Sequence, residues 1–326
     1  MKLLSVTIAV FKREWLLKKV LDSLCRQTLG KNYYEVILCD SNSSNMITDM
    51  VKFFKKEHPD FDLKIKHTEN VLAKKRNLGI KESKNEVVIF MDDDCIPEDN
   101  YLQKYFDYYN FNPQRKDFVC GVVRFPSLWV NNSSYYMFRD NEGFHEYQVD
   151  DMFLDYRTIV VMNMAFLKES VVESDLYVNE NFLGYGMEDQ DFGFRIQGAG
   201  HDIGKIDAVI YHFELSKTIH GYGKKVFHTA RDGMTYLMAE NFECFNSMSH
   251  LKLIDSYYQS FNLNLIRKLL LNEITFRVIS RICDVMERCG PLRFDFIYRY
   301  MLAHYYYRGS LKRADVKAHA SDTWYV

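Results

Sequence analysis

Apolar and polar positions along the first hundred residues alternate between two periods. Residues 4–10 (LSVTIAV), 34–39 (YEVILC), 62–67 (DLKIKH) and 86–91 (EVVIFM) are short apolar runs rich in β-branched side chains, which predicts strands. Between them Leu16, Leu17, Val20, Leu21 and Leu24 recur at helical spacing, as do Met46, Met50, Phe53 and Phe54. Strands and helices alternating at this interval predict an α/β fold, a mostly parallel sheet with helices on both faces. Further strands are predicted at 117–125, 158–163 and 206–212. Beyond Lys217 the period is helical throughout, with Leu265, Ile266, Leu269 and Leu270 followed by Phe276 and Ile279. The expected organisation is a first domain over 1–216 and a helical extension over 217–326.

Ligands of such sheets bind outside the carboxyl ends of the strands, and there the chain concentrates its unusual residues. Asp92, Asp93 and Asp94 follow directly on the run 86–91. Neighbouring carboxylates repel one another and are costly to desolvate without a cation, and a hard divalent ion such as Mn²⁺ or Mg²⁺ takes carboxylate oxygens together with phosphates. The alternative is a solvated acidic turn ended by Pro97. Asp40, in 38–45 (LCDSNSSN), ends another strand beside Asn42; it suits a nucleobase or ribose, or else is a plain Asx turn. Lys74, Arg76 and Asn77 begin a predicted helix at 73–83, where basic side chains suit a diphosphate or are ordinary surface cations. In 184–196 (GYGMEDQDFGFRI), Glu188 and Asp189 open a helix after two glycines, so the helix dipole favours an ionised base. His212 ends the strand 206–212 as a candidate metal ligand, with His220 as its competitor.

Composition narrows the classes. With 47% hydrophobic and 26% charged residues among 326, the chain suits a globular protein with a sizeable core. The formal net charge is only -2, yet from Lys217 onward 16 Lys and Arg face 10 Asp and Glu, so the first two thirds are acidic. That disfavours nucleic acid as a partner. Seven cysteines without a C-x-x-C indicate neither a disulfide framework nor a zinc site, and a reducing cytoplasm is the simplest location. The apolar start is followed by Lys12, Arg13 and Glu14 where a signal peptide needs small residues, and no window has the uncharged length of a membrane span.

In this order the pieces resemble the family 2 glycosyltransferases, nucleotide-sugar-dependent enzymes of GT-A fold. The likeness covers roughly residues 3 to 215 and rests on the set: the opening strand with its loop, 76–79 (RNLG), the D-x-D at Asp92–Asp94, and G-x-G-x-E-D-x-D from Gly184 to Asp191. It implies a Rossmann-like nucleotide-binding half over 1–98 and an acceptor-binding half over 99–216. It implies that Val10, Phe11 and Arg13 contact the nucleotide, Asp40 the base, and Lys74, Arg76 and Asn77 the diphosphate. Asp92 and Asp93 would also hold the nucleotide sugar, and Asp94, with Asp92 and His212, the metal. Asp189 would be the catalytic base and Glu188 its neighbour in the acceptor site. The reaction implied is inverting transfer of a hexose or N-acetylhexosamine from a UDP-sugar to a saccharide, in surface polysaccharide assembly. There the acceptor is often lipid-linked at the cytoplasmic face of the inner membrane, and the aromatic stretch 298–309 is compatible with peripheral docking or with a core. Two other classes share parts of the pattern. A sugar nucleotidyltransferase also pairs aspartates on a metal but needs a Gly-rich first loop, which residues 10–15 (VFKREW) lack. A non-catalytic nucleotide- or carbohydrate-binding module would need no base.

Overall fold

The computed structural model describes residues 1–41, 45–142, 153–214, 217–288, 290 and 294–313. The chain forms two compact units, and their division is not a single cut near residue 216. The first unit comprises Met1–Arg124, Tyr147–Glu180 and Phe192–Phe213; the second comprises Phe125–Glu146, Asn181–Asp191 and Glu214–Val326.

The first unit is built on one eight-stranded sheet. Its strands are β1 (Leu4–Val10), β2 (Tyr34–Asp40), β3 (Leu63–His67), β4 (Val87–Asp92), β5 (Cys95–Pro97), β6 (Phe118–Arg124), β7 (Asn163–Leu167) and β8 (Ile203–His212). The order is β3-β2-β1-β4-β7-β6-β8-β5. The half from β3 to β4 is parallel throughout, while β7 runs antiparallel to both neighbours and β5 antiparallel to β8. Every residue of β2 is buried and β1 nearly so, as expected for parallel strands covered on both faces. The helix Leu72–Glu82 packs on β1 and β2, Tyr101–Phe111 on β8, and Glu14–Cys25 on β5. Gly79 makes the first of these contacts possible, because a Cβ there would lie 2.7 Å from the Cβ of Thr7.

The strand expected at 158–163 is displaced. Residues 158–162 are turn and loop although Ile159, Val160 and Val161 are buried, and β7 begins at Asn163. Burial alone produces the same apolar run as a ladder does, so the run could not locate the strand. Asn163 itself is the buried polar hub of this unit. Its amide donates to the carbonyls of Val122 and Ala208, both at 2.9 Å, and its Oδ1 accepts from the hydroxyls of Tyr101 (2.9 Å) and Tyr105 (2.8 Å). Asn163→Ala strands these partners in a dry interior, and the urea midpoint is expected to fall in step with a loss of about 3 kcal/mol. An unchanged midpoint would show that the network is not holding the sheet together.

The second unit is helical with an aromatic core. Phe125, Tyr135, Tyr136 and Phe138 gather with Ile219, Cys283, Met286, Ile297, Tyr298 and Met301, and Phe138 stacks on Tyr298 at 4.8 Å. Tyr298 and Tyr306 of the stretch 298–309 are buried, together with Met301 and His304. Of the two roles left open for that stretch, these residues take the core.

Candidate active site

Register brings the candidate residues of the first unit to one edge. Val10 pairs with Asp40 across β1 and β2, and Ala9 with Asp92 across β1 and β4, so three parallel strands end together. The antiparallel pair β5–β8 adds a fourth element: Cys95 lies opposite His212, and Phe213 N–H donates to the Asp94 carbonyl at 2.8 Å. That pairing sets His212 Nε2 at 3.5 Å from Asp94 Oδ2.

Each aspartate has a separate environment. Asp40 is fully buried, with His67 Nδ1 at 3.7 Å from its carboxylate. Asp92 is half-buried and lies 3.7 Å from the Arg76 guanidinium. Asp93 is buried and accepts from the Phe11 N–H at 3.0 Å; burial pushes its carboxyl well above the usual carboxylate range, against the opposing charge of Arg13. Arg13 reaches both Asp93 and Asp94. It does so from backbone in the left-handed region, with φ 58° at Lys12 and 48° at Arg13, a conformation that costs non-glycine residues energy and clusters at functional sites.

Three of the expected residues have partners within the protein. The Val10 side chain is fully buried, and its carbonyl accepts from Lys75. Lys74 pairs instead with Glu69 at 2.7 Å. Asn77 donates to the Val178 carbonyl and to Glu180, both at 2.8 Å, and accepts from Val178 N–H at 2.9 Å. Its amide thus ties the middle of the helix to a neighbouring loop. Asn42 lies outside the described residues. Lys75, beside Lys74, was not singled out in the sequence. It is buried, donating to the Val10 carbonyl and to Asn70 Oδ1, both at 2.8 Å, and burial lowers its ammonium to about 8 although Asp93 and Asp40 pull the other way. Successive helical residues point about 100° apart, so the choice between Lys74 and Lys75 depends on helix phase, which a string of cations does not display.

The Asp94 carboxylate and the His212 imidazole, 3.5 Å apart, are the two groups here that could ligate a metal. No group of three His, Cys, Asp or Glu able to hold an ion is found among the described residues. Hard divalent ions at phosphate sites typically take few protein ligands and complete their shell with phosphate oxygens and water, so such an ion would complete the Asp94–His212 pair with oxygens from substrate phosphates and water. His220 is engaged elsewhere, with Tyr305 OH at 3.0 Å and Asp284 at 3.1 Å.

In the second unit the glycine turn precedes the helix Glu188–Gly198. Gly186 has φ 88° and Met187 φ 75°. The turn is packed against a single π-helical turn, Thr229–Gly233: a Cβ on Gly184 would lie 2.5 Å from that of Asp232, and one on Gly233 2.3 Å from the Gly186 carbonyl. Asp232 is held by Arg231 at 2.5 Å, with His228 at 3.6 Å; burial raises its carboxyl, but the hydrogen bonds from Arg231 and His228 hold it below the usual range. Glu188 is buried at the helix start, Asp189 is half-buried, and Asp191 accepts from Asn241 at 2.9 Å.

The sequence profile of glycosyl transferase family 2 matches residues 5–173, which is over half of the chain. The chain belongs to that family. Asp40, Arg76 and Asp92–Asp94 lie within the family 2 match, whereas Glu188, Asp189 and His212 lie beyond it. Similar proteins include glycosyltransferase AglE of Haloferax volcanii, 27% identical over 31% of this chain and 33% of that one. The poly(ribitol-phosphate) beta-glucosyltransferase of Bacillus spizizenii is 33% identical over 37% of this chain and 19% of its own length, and the chondroitin synthase of Escherichia coli 25% identical over 65% and 34%. The chain thus spans about a third or less of these relatives. In fold it is similar to the mannosyltransferase PcManGT from Pyrobaculum calidifontis in complex with GDP-Man and Mn²⁺, with TM-score 0.57 and 14% identity over 96% of this chain and 87% of that one. It is also similar to S. aureus TarS 1-349 in complex with UDP, with TM-score 0.52 and 15% identity over 97% and 92%. The mostly parallel, helix-flanked sheet is therefore the GT-A arrangement that the resemblance implied.

Proposed function

We propose that the protein transfers a hexose or N-acetylhexosamine from a UDP-sugar to a saccharide acceptor during polysaccharide assembly, with inversion at the anomeric carbon. The observation that carries the reading is the shared edge of β1, β2 and β4, where Asp40 and Asp92 end parallel strands and Asp94 follows in the turn after β4, beside Arg13, Lys75 and Arg76. Membership of family 2 and the sugar-transferring relatives support it. In this reading Asp40 hydrogen-bonds the nucleobase, Arg76 and Arg13 face the diphosphate, and Asp92 and Asp93 hold the sugar nucleotide with Phe11 in support. Asp94 and His212 would bind Mn²⁺ or Mg²⁺, which supplies positive charge against the diphosphate as it leaves. Asp189 takes the proton from the acceptor hydroxyl, and Glu188 orients the acceptor or caps the helix. A lipid-linked acceptor, reached from the cytoplasmic face of a membrane, fits the same chemistry.

Incubation with a panel of nucleotide sugars and Mn²⁺ tests the reading through slow hydrolysis to free nucleotide. Release of UDP from one or more UDP-sugars is expected. Release from no nucleotide sugar, together with no measurable UDP binding, would overturn it.

A further inference from the structure

The helix Glu273–Arg288 has two apolar faces. One of them, formed by Phe276, Ile279, Cys283 and Met286, packs into the aromatic core of the second unit. The other presents Ile274, Val278, Ile282 and Val285, which are 77%, 52%, 46% and 59% exposed. At about 100° per residue these four fall within an arc of roughly 80°, and Arg277, Arg281 and Arg288 form a band of roughly 40° directly beside it. All three arginines are exposed. The helix Phe261–Leu270 repeats the pattern, with Phe261, Leu265 and Leu269 exposed at intervals of four and Lys268 alongside. Its arginine differs: Arg267 is buried and donates to the carbonyls of Lys252, Leu253, Asp255 and Tyr258. No helix among the described residues is long and apolar enough to cross a membrane.

We infer that the exposed face of Glu273–Arg288, extended by that of Phe261–Leu270, docks on an anionic lipid bilayer. An aliphatic stripe edged by arginines is what an interfacial helix offers, its apolar side entering the headgroup boundary and its cations meeting lipid phosphates. A second copy of the chain is the poorer occupant. A twofold axis sets like against like, and the two exposed carboxylates of Glu273–Arg288, Glu273 and Asp284, pair with Arg308 at 2.5 Å and His220 at 3.1 Å; the arginines would meet arginines. The inference extends the proposal of a lipid-linked acceptor, but it rests on the helix surface and not on the transfer reaction.

Co-sedimentation of the full chain with vesicles decides the matter. Binding is expected to vesicles containing about a third phosphatidylglycerol, weak binding to phosphatidylcholine alone, and release by high salt. The triple variant R277E/R281E/R288E should lose roughly 100-fold in partitioning, each reversed cation removing its share of the surface attraction. V278E/I282E should also fail to bind, because it places carboxylates in the stripe. Both variants change exposed side chains, so an unchanged melting temperature and unchanged hydrolysis of nucleotide sugar without vesicles are expected, and the latter reads the transferase proposal separately. Wild type that ignores anionic vesicles, or a triple variant that binds as wild type does, would overturn the inference. So would a stable wild-type dimer that V278E/I282E dissociates, since the face would then belong to a second copy.

Discussion

Asp94→Ala is expected to lower turnover by at least ~100-fold at saturating donor, the loss typical when one preorganised charge-stabilising group is removed from a reacting centre. The structure supplies the reason for so large an effect. The Asp94 carboxylate stands between the Arg13 guanidinium and the His212 imidazole, and deleting it removes an anionic partner of Arg13 and one oxygen for a divalent ion. Excess chelator should abolish turnover of the wild type in the same assay. His212→Ala should raise the Mn²⁺ concentration needed for half-maximal rate while leaving some activity. His220→Ala should leave that concentration alone, because His220 is held by Tyr305 and Asp284. Full turnover in excess chelator would end the metal assignment, and a metal dependence shifted only by His220→Ala would transfer the ligand role.

The second large effect is expected at Asp189. Asp189→Asn keeps shape and removes the proton acceptor, so turnover should fall by ~10²-fold or more while UDP affinity stays near that of the wild type. Glu188 is adjacent and has the same chemistry, but neighbouring helical residues diverge by about 100°, and the structure buries Glu188 while leaving Asp189 half-exposed. A buried carboxylate is withdrawn from solvent, whereas a half-exposed one can be reached by an acceptor. Glu188→Gln should therefore lower the melting temperature or weaken acceptor use more than it slows the chemical step. Comparing the two variants for turnover and for UDP binding decides the roles: an active Asp189→Asn beside an inactive Glu188→Gln reverses them, and loss of UDP binding in both assigns the segment to folding.

Glycine placement shows how a motif can be read twice. Gly79 belongs to the R-N-x-G element, yet what it does is let the helix Leu72–Glu82 lie against Thr7. Arg76 is carried by that close packing to within 3.7 Å of Asp92. Likewise, Gly184 and Gly186 keep the turn before Glu188 free of side chains where Asp232 and Thr229 press on it. The support from Arg231 and His228 to Asp232 had one trace in the sequence, an i,i+4 spacing of His and Asp, which surface helices also show.

What the sequence determined by itself is whatever depends on local period and strand order. The strands 4–10, 34–39 and 86–91 and the helix between the first two follow from apolar spacing. The position of Asp40 and Asp92–Asp94 at one sheet edge follows from parallel pairing, since strands joined by right-handed crossovers end together. Tertiary structure decided everything that depends on which face a residue shows. Only the fold distinguishes buried Lys75 from surface Lys74, engages Asn77 with Val178 and Glu180, and starts β7 at Asn163 rather than at the apolar run before it. It also buries Tyr298 and Tyr306 of the stretch 298–309 and leaves Ile274, Val278, Ile282 and Val285 outside. An apolar residue records that it avoids water somewhere in its life; whether the covering surface is its own chain or another is set by long-range packing, and no local period encodes that.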